Sequence, residues 1–100
     1  MIVDYEKSRG LRLLEAEDTR NFKVTIASPV DLPPAERGLK INGMEALVPI
    51  ALPPSLPGAP EDPEWLEAYQ NMVEKAAGHG WIDSARQSIY AHVEIAPSRD

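Results

Sequence analysis

Residues 62–80 read DPEWLEAYQNMVEKAAGHG and contain the signals for a helix with both of its ends. Asp62 can accept hydrogen bonds from the free N–H groups of the first turn, and Pro63 suits the first helical position. The glycines at the other end can terminate the helix. Between these ends, apolar side chains recur every three to four residues: Trp65, Leu66, Tyr69, Met72, Val73 and Ala76. This spacing predicts an amphipathic helix at 63–77 with one face against a core.

The segment after this helix, residues 81–95, allows two interpretations. Residues 88–95 alternate strictly between two sets of side chains, namely Ile89, Ala91, Val93 and Ile95 on one face and Tyr90, His92 and Glu94 on the other. A period of two predicts a strand that returns beside the helix. The alternative is a helix with a stripe formed by Ile82, Ala85, Ile89 and Val93. We favour the strand.

Two hairpins are predicted upstream of the helix. The first, near 11–26, consists of an apolar run, a polar break and the alternating residues 22–26. The second, near 39–48, has Asn42-Gly43 between two apolar runs, which is typical of a tight hairpin turn with positive φ at both central positions. The alternatives are a helix in place of the first strand and a plain loop at the glycine.

Prolines dominate the segment between the second hairpin and the helix. Within residues 49–63, prolines recur at every third position: Pro54, Pro57, Pro60 and Pro63. Polyproline II has three residues per turn, so this spacing predicts a stiff, extended strap. Such a strap can dock into an aromatic groove of a partner domain. It can also pack across its own core with Leu52 and Leu56 as anchors, which is the alternative that we favour.

Together these elements predict an α+β fold, in which a small antiparallel sheet of about four to five strands packs on one main helix. One hundred residues is near the commonest domain size, so we expect a single domain over 1–100. The last residues, 97–100, are expected to be a frayed C-terminus.

Composition and charge exclude several classes of function. The chain has ten Lys and Arg against sixteen Asp and Glu, a net charge of −6 and no cysteine. Without cysteine there is no disulfide, thiolate nucleophile or Cys-based zinc site. The absence of a basic stripe argues against nucleic-acid binding. The N-terminus does not resemble a signal peptide, and no apolar run approaches a membrane helix. We therefore expect a cytoplasmic protein that binds neither nucleic acid nor membrane.

Four residues are weak candidates for acid–base chemistry. Tyr90, His92 and Glu94 would share one face of the predicted strand, and Asp83 is close in sequence. Imidazole titrates near neutral pH, and a neighbouring carboxylate can orient it for proton transfer. The same alternation is also typical of the solvated face of an antiparallel strand. The spacing of His79 and His92 matches no familiar metal site, so we expect no metal and no cofactor.

The leading hypothesis is a non-catalytic protein-interaction or accessory module, which binds another protein or a second copy of itself. Its candidate partner-binding residues are aromatic rings and strap prolines, namely Trp65, Tyr69, Trp81, Pro54 and Pro57. The alternative is a small oligomeric enzyme that uses His92 with Glu94 or Asp83 on a small molecule. A third, weaker hypothesis is a regulatory domain with a small-molecule pocket between sheet and helix.

Overall fold

The computed structural model describes residues 1–28, 30, 32–33 and 38–95. Within these residues, one long helix packs against one face of a seven-stranded sheet, which confirms the α+β class. The sheet is larger than predicted because the strands at Ile2–Glu6 and Ile82–Asp83 were not predicted. The end predicted to be frayed, 97–100, lies outside the described residues.

The described fold contains seven strands, one α-helix and a short 3₁₀ helix. The strands are β1 (Ile2–Glu6), β2 (Gly10–Leu14), β3 (Lys23–Ile26), β4 (Lys40–Asn42), β5 (Glu45–Pro49), β6 (Ile82–Asp83) and β7 (Ser88–Ile95). The helix is α1 (Pro63–Gly78), and the 3₁₀ helix at Pro53–Ser55 precedes it. The strands lie in the order β2-β1-β3-β7-β5-β4, with β6 beside the first residues of β7.

The sheet is mixed rather than antiparallel, and the hairpin predicted near 11–26 is wrong. β2 pairs antiparallel with β1, whereas β3 runs parallel to β1 on its other side. Residues 15–22 therefore carry the chain past β1 instead of forming a tight turn. β7 continues the parallel pairing beside β3. β1 was not predicted, although Val3 and Tyr5 alternate with Asp4 and Glu6 in the period-two pattern of a strand.

The hairpin predicted near 39–48 is confirmed as β4 and β5, with Asn42 opposite Glu45. The two turn residues are thus Gly43 and Met44, one position later than the Asn-Gly pattern indicates. Gly43 has a φ of 63°, and Met44 is not among the residues with positive φ. This combination is that of a type II′ turn, which needs glycine at its first central position.

The segment after α1 is a hairpin, which confirms the strand at 88–95, and the helical alternative is wrong. The side chains of β7 alternate between buried and exposed, namely Ile89, Ala91 and Val93 against Tyr90, His92 and Glu94. Ile95 departs from the alternation, since it is 42% exposed. β6 pairs with the start of β7 across a turn at 84–87.

Both ends of α1 carry the capping groups expected from the sequence. The Asp62 carboxylate accepts a hydrogen bond from the Glu64 N–H at 3.0 Å. At the other end Gly80 adopts a φ of 79°, and the N–H of Trp81 donates to the carbonyl of Ala76 at 2.9 Å. This bond is the long bond of a Schellman motif, so the chain leaves the helix in a defined direction.

Residues 49–63 are not the extended strap that the proline spacing predicts. A turn and the 3₁₀ helix interrupt the pattern, because proline suits the first positions of a helical turn as well as polyproline II. Leu52 and Leu56 are buried, so the segment packs on the core of its own domain. The carbonyl of Pro57 accepts a hydrogen bond from the Leu13 N–H at 2.8 Å, which covers the free edge of β2.

The two faces of the sheet differ in polarity. The face toward α1 holds the core, whose most deeply buried strand residues are Val3, Val24, Val48 and Val93. On the opposite face Asp4 and Thr25 are buried, and the Thr25 hydroxyl donates to the Asp4 carboxylate. Arg12 bonds Asp4 at 2.9 Å and Glu6 at 3.2 Å. These bonds offset the cost of taking the carboxylates out of water.

Candidate functional site

A cleft lies where two strands share one edge of β7. β5 occupies the other edge over 88–92, so β6 at 88–89 and β3 at 92–95 both pair along the same side. Trp81, which precedes β6, and Phe22, which precedes β3, both line the space left between these two strands. The strand pairing leaves this space open, and residues from the last turns of α1 also line it.

The cleft has a volume of about 620 Å³, within the range typical of ligand pockets, about 300–1,000 Å³. Its walls are the last turns of α1, residues 19–22, the start of β3 and part of β7. Met72, Ala76 and Ile89 contribute apolar side chains. A site of this size can hold a small molecule or several side chains of a protein partner.

Two aromatic side chains at the cleft remain open to solvent. Trp81 is 54% exposed and Tyr90 is 46% exposed. The Tyr90 N–H donates to the carbonyl of Trp81 at 2.9 Å, which places the two residues side by side. The Trp81 ring also stacks on His79 with 4.6 Å between ring centroids and 24° between planes. The Schellman motif at the end of α1 determines the position of the Trp81 backbone, because its N–H is bonded to Ala76.

Lys and Arg side chains outnumber carboxylates among the described residues that line the cleft. The lining contains three basic side chains, one carboxylate and two imidazoles, namely Arg20, Lys23, Lys75, Glu94, His79 and His92. The Lys23 Nζ donates to Glu94 Oε2 at 2.8 Å. This hydrogen bond raises the pKa of Lys23 and lowers the pKa of Glu94 relative to their ordinary values. The only lining carboxylate, among the residues described, is therefore already neutralised.

The catalytic candidates come together only in part. Tyr90, His92 and Glu94 all line the cleft, as expected from their shared face. Asp83 does not, since its carboxylate accepts from the Arg86 side chain at 2.8 Å in the β6–β7 turn. Glu94 is bound to Lys23 rather than to His92. In the described part of the chain, no carboxylate lies within ion-pair distance of either imidazole.

The structure assigns Trp65 and Tyr69 to the core rather than to a partner surface, which corrects the expectation for both. Trp65 is 7% exposed, and its indole N–H donates to the carbonyl of Ala16 at 2.7 Å. Tyr69 is 2% exposed, and its hydroxyl donates to the carbonyl of Ile50 at 2.7 Å. Burial also raises the pKa of the Tyr69 phenol. Both rings lie on the helical stripe that faces the sheet.

The other three partner-binding candidates differ in exposure. Trp81 borders the cleft, Pro57 is exposed and Pro54 is half-buried. The two prolines lie outside the cleft, in the segment that packs across Leu52 and Leu56. Only Trp81 of the predicted set therefore lines this site.

Several lining residues were missed by the sequence reasoning. Lys75 and His79 stand four residues apart on the last turns of α1, just before the exposed Trp81. This helical spacing was a usable signal, because residues i and i+4 share a face. No local pattern indicated that Phe22 and Arg20 would lie beside β7. They come there because β3 pairs in parallel with both β1 and β7.

Within the described ranges, no group of three or more His, Asp or Glu side chains is placed to hold a metal ion. None of the described helices has the length and apolar character needed to cross a membrane. No protein-family model, curated protein or solved structure shows significant similarity to this chain.

Proposed function

We propose that this chain is a non-catalytic protein-interaction domain whose partner binds at the cleft beside Trp81. The observation that carries the proposal is the exposure of Trp81 and Tyr90, 54% and 46%, at the border of that cleft. Trp and Tyr are enriched at binding hot spots because they bury a large area and lose little side-chain entropy.

The main chain supports this role by fixing Trp81 in advance. Its N–H donates to Ala76 and its carbonyl accepts from Tyr90, so both of its main-chain groups are bonded within the domain. A ligand-contacting residue that is already ordered loses less freedom on binding. The cleft therefore offers a partner a surface that needs little rearrangement.

A catalytic role for His92 has less support. A general base needs its proton-transfer partners within hydrogen-bonding reach. Glu94 is held by Lys23, and Asp83 is held by Arg86. The small oligomeric enzyme stays the weaker hypothesis, whereas binding at the cleft requires no such pairing.

Native mass spectrometry of the tagged protein, purified gently from its own cells, tests the proposal. The wild type is compared with the double variant Trp81→Ala/Tyr90→Ala. We expect a stoichiometric partner protein, or a second copy of this chain, with the wild type and its loss from the double variant. Truncating one hot-spot residue costs about 2 kcal/mol or more, roughly thirtyfold in affinity, so losing two should abolish the complex.

Leu66→Ala is the matched control for this experiment. Leu66 is 42% exposed on α1 and does not line the cleft, so its removal takes away apolar surface elsewhere. We expect this variant to retain the complex. The proposal fails if the double variant keeps the same partner at the same stoichiometry, or if Leu66→Ala loses it equally.

A further inference from the structure

The cleft concentrates positive charge in a chain whose net charge is −6. Among the described residues, three Lys or Arg side chains line it against one carboxylate. Glu94, the lining carboxylate, is paired with Lys23 at 2.8 Å. Lys75 and Arg20 are both exposed, one on α1 and one on the loop before β3. The basic side chains of the lining thus come from different elements of the fold.

The same cleft presents aromatic and apolar surface between these charges. Phe22, Trp81 and Tyr90 contribute rings, and Met72 contributes a flexible thioether. Rings favour stacked or edge-on contact with another aromatic group, and methionine adapts to irregular apolar shapes. An ion without an apolar part would leave this surface in water. A ligand that fits must therefore combine negative charge with an apolar side chain.

We infer that the cleft takes a short acidic peptide segment, with one or two carboxylates beside an aromatic or large aliphatic side chain. This inference rests on the proposed function and names the chemistry of the partner. The carboxylates of the segment face Lys75 and Arg20, and its apolar side chain lies against Trp81 and Tyr90. Charge complementarity of this kind speeds association and selects against basic partners.

Neighbouring carboxylates limit how much negative charge the site accepts. Glu45 lies beside Tyr90 and His92 in the adjoining pocket. Asp18, two residues before Arg20, accepts hydrogen bonds from the Arg20 N–H and the Asn21 side chain. A densely anionic ligand such as nucleic acid or an acidic membrane would be repelled by these groups and by the net charge. A segment with one or two carboxylates avoids that repulsion.

Three end-capped nonapeptides with Gly-Ser-Gly flanks serve as probes. Their central residues are Asp-Phe-Glu, the charge-reversed Lys-Phe-Lys and the ringless Asp-Ala-Glu. Each is titrated into the ¹⁵N-labelled full chain, and amide chemical shifts report binding. We expect Asp-Phe-Glu to shift the indole signal of Trp81 and the amides of Tyr90 and His92. The buried indole of Trp65 should not move, and it serves as the internal reference.

The two other peptides test the contributions of the carboxylates and of the aromatic ring separately. We expect Lys-Phe-Lys to bind at least about tenfold more weakly, because two attractive charge pairs become repulsive. We expect a similar loss for Asp-Ala-Glu, which has no ring to place against Trp81. The inference is overturned if either peptide binds as tightly as Asp-Phe-Glu, or if Asp-Phe-Glu causes no shift at millimolar concentration.

A matched pair of protein variants tests whether the carboxylates of the peptide contact Lys75. Lys75→Gln should weaken Asp-Phe-Glu binding about two- to fivefold, and added salt should reduce that difference. Lys7→Gln is the control, since Lys7 is exposed in the turn after β1 at the other end of the sheet. Equal effects of the two substitutions would contradict a specific contact at the cleft.

Failure of this inference can be distinguished from failure of the proposed function. If the Trp81→Ala/Tyr90→Ala variant loses its cellular partner but the three peptides bind alike, the acidic-segment inference falls and the interaction domain stands. If the peptides discriminate as expected but the double variant keeps its partner, the cleft has the inferred chemistry and the proposed docking of the partner there is wrong.

Discussion

At its N-terminal end α1 is tied into the domain by two side-chain hydrogen bonds, whereas its C-terminal end borders an open cleft. Trp65 donates to the carbonyl of Ala16, and Tyr69 donates to the carbonyl of Ile50. Their rings stack with centroids 5.6 Å apart. At the other end Trp81 is half-exposed and lies against His79. The N-terminal half of the helix carries two buried rings that are bonded into the domain, and its C-terminal end borders the cleft that we propose as a binding surface.

The position of each tryptophan relative to the helix explains the difference. Trp65 falls on the apolar stripe, so the helix carries its ring into the core. Trp81 follows Gly80, whose positive φ turns the chain away from the helix axis. One residue type therefore has a structural role at Trp65 and a proposed binding role at Trp81, sixteen positions later. Substitutions at the two ends should separate these roles.

The largest effect is expected from Trp65→Ala. Removing a buried tryptophan leaves a cavity and should lower the free energy of unfolding by about 3–5 kcal/mol. Trp81→Ala should change it by less than about 0.5 kcal/mol, because the side chain is largely at the surface. Urea denaturation of both variants measures the difference. Equal destabilisation by the two substitutions would contradict the assignment of stability to the N-terminal end.

Gly58→Ala should give the next largest loss of stability. Gly58 has a φ of 96°, and a Cβ placed there would lie 2.2 Å from the carbonyl oxygen of Leu13. The segment leading into α1 would have to move away from β2, which we expect to cost about 2–3 kcal/mol. Urea denaturation reports this loss.

Gly43→Ala is the control for that substitution. Gly43 also has positive φ, but a Cβ there would meet nothing within 4 Å. Backbone strain alone should cost about 1–2 kcal/mol. If Gly58→Ala lowered the free energy of unfolding no more than Gly43→Ala, the close packing of Gly58 against β2 would not be stabilising.

Tyr69→Phe should lower the free energy of unfolding by about 1 kcal/mol at neutral pH, because the carbonyl of Ile50 loses its hydrogen bond. Burial raises the pKa of Tyr69 above its ordinary value of 10.0. The folded state therefore holds the phenolic proton more tightly than the unfolded state. This contribution is present below pH 10 and is lost as the pH rises further.

The alkaline behaviour of the variant checks this assignment. The wild type should lose stability above about pH 10, and Tyr69→Phe should lose less over the same interval. Denaturant midpoints measured on both proteins across that interval give the comparison. Parallel curves would mean that Tyr69 ionises equally in the folded and unfolded states.

Local chemistry made much of this fold predictable. Asp62, Pro63 and Gly80 marked the ends of α1 because caps act within one helical turn. Strict alternation identified β7, since each of its faces meets a different environment. The Asn-Gly pattern identified the hairpin of β4 and β5, although its turn residues lie one position later than this pattern predicts. Each of these signals lies within a few residues of the structure that it specifies.

Long-range pairing was not predictable from such signals. The parallel neighbours of β3 are β1 and β7, and the latter is about seventy residues away in sequence. Because the cleft depends on this pairing, only its β7 side chains and Trp81 were found from the sequence. Trp65 could have been assigned to the core, because it lies on the predicted apolar stripe of α1, whereas Trp81 follows the end of the helix. Aromatic character alone did not distinguish it from Trp81.

The smallest effect is expected at the cleft itself, from Glu94→Gln. The hydrogen bond from Lys23 lowers the pKa of Glu94 below its ordinary value of 4.5. A carboxyl with a lowered pKa stabilises the folded state above its unfolded pKa, and this contribution is lost as the pH falls. The wild type should therefore be slightly more stable than Glu94→Gln at pH 7, and the difference should shrink toward about pH 3.

Denaturant midpoints at both pH values, with and without added salt, measure this difference. Glu67→Gln on the exposed side of α1 corrects for the general effect of removing one negative charge. Salt should reduce the Glu94 effect because the pair is accessible to solvent. A loss as large as that of Trp65→Ala would mean that the Lys23–Glu94 pair at the cleft is also a stability element. The contrast between the buried end of α1 and the cleft would then fail, since a surface proposed for binding should tolerate such a change.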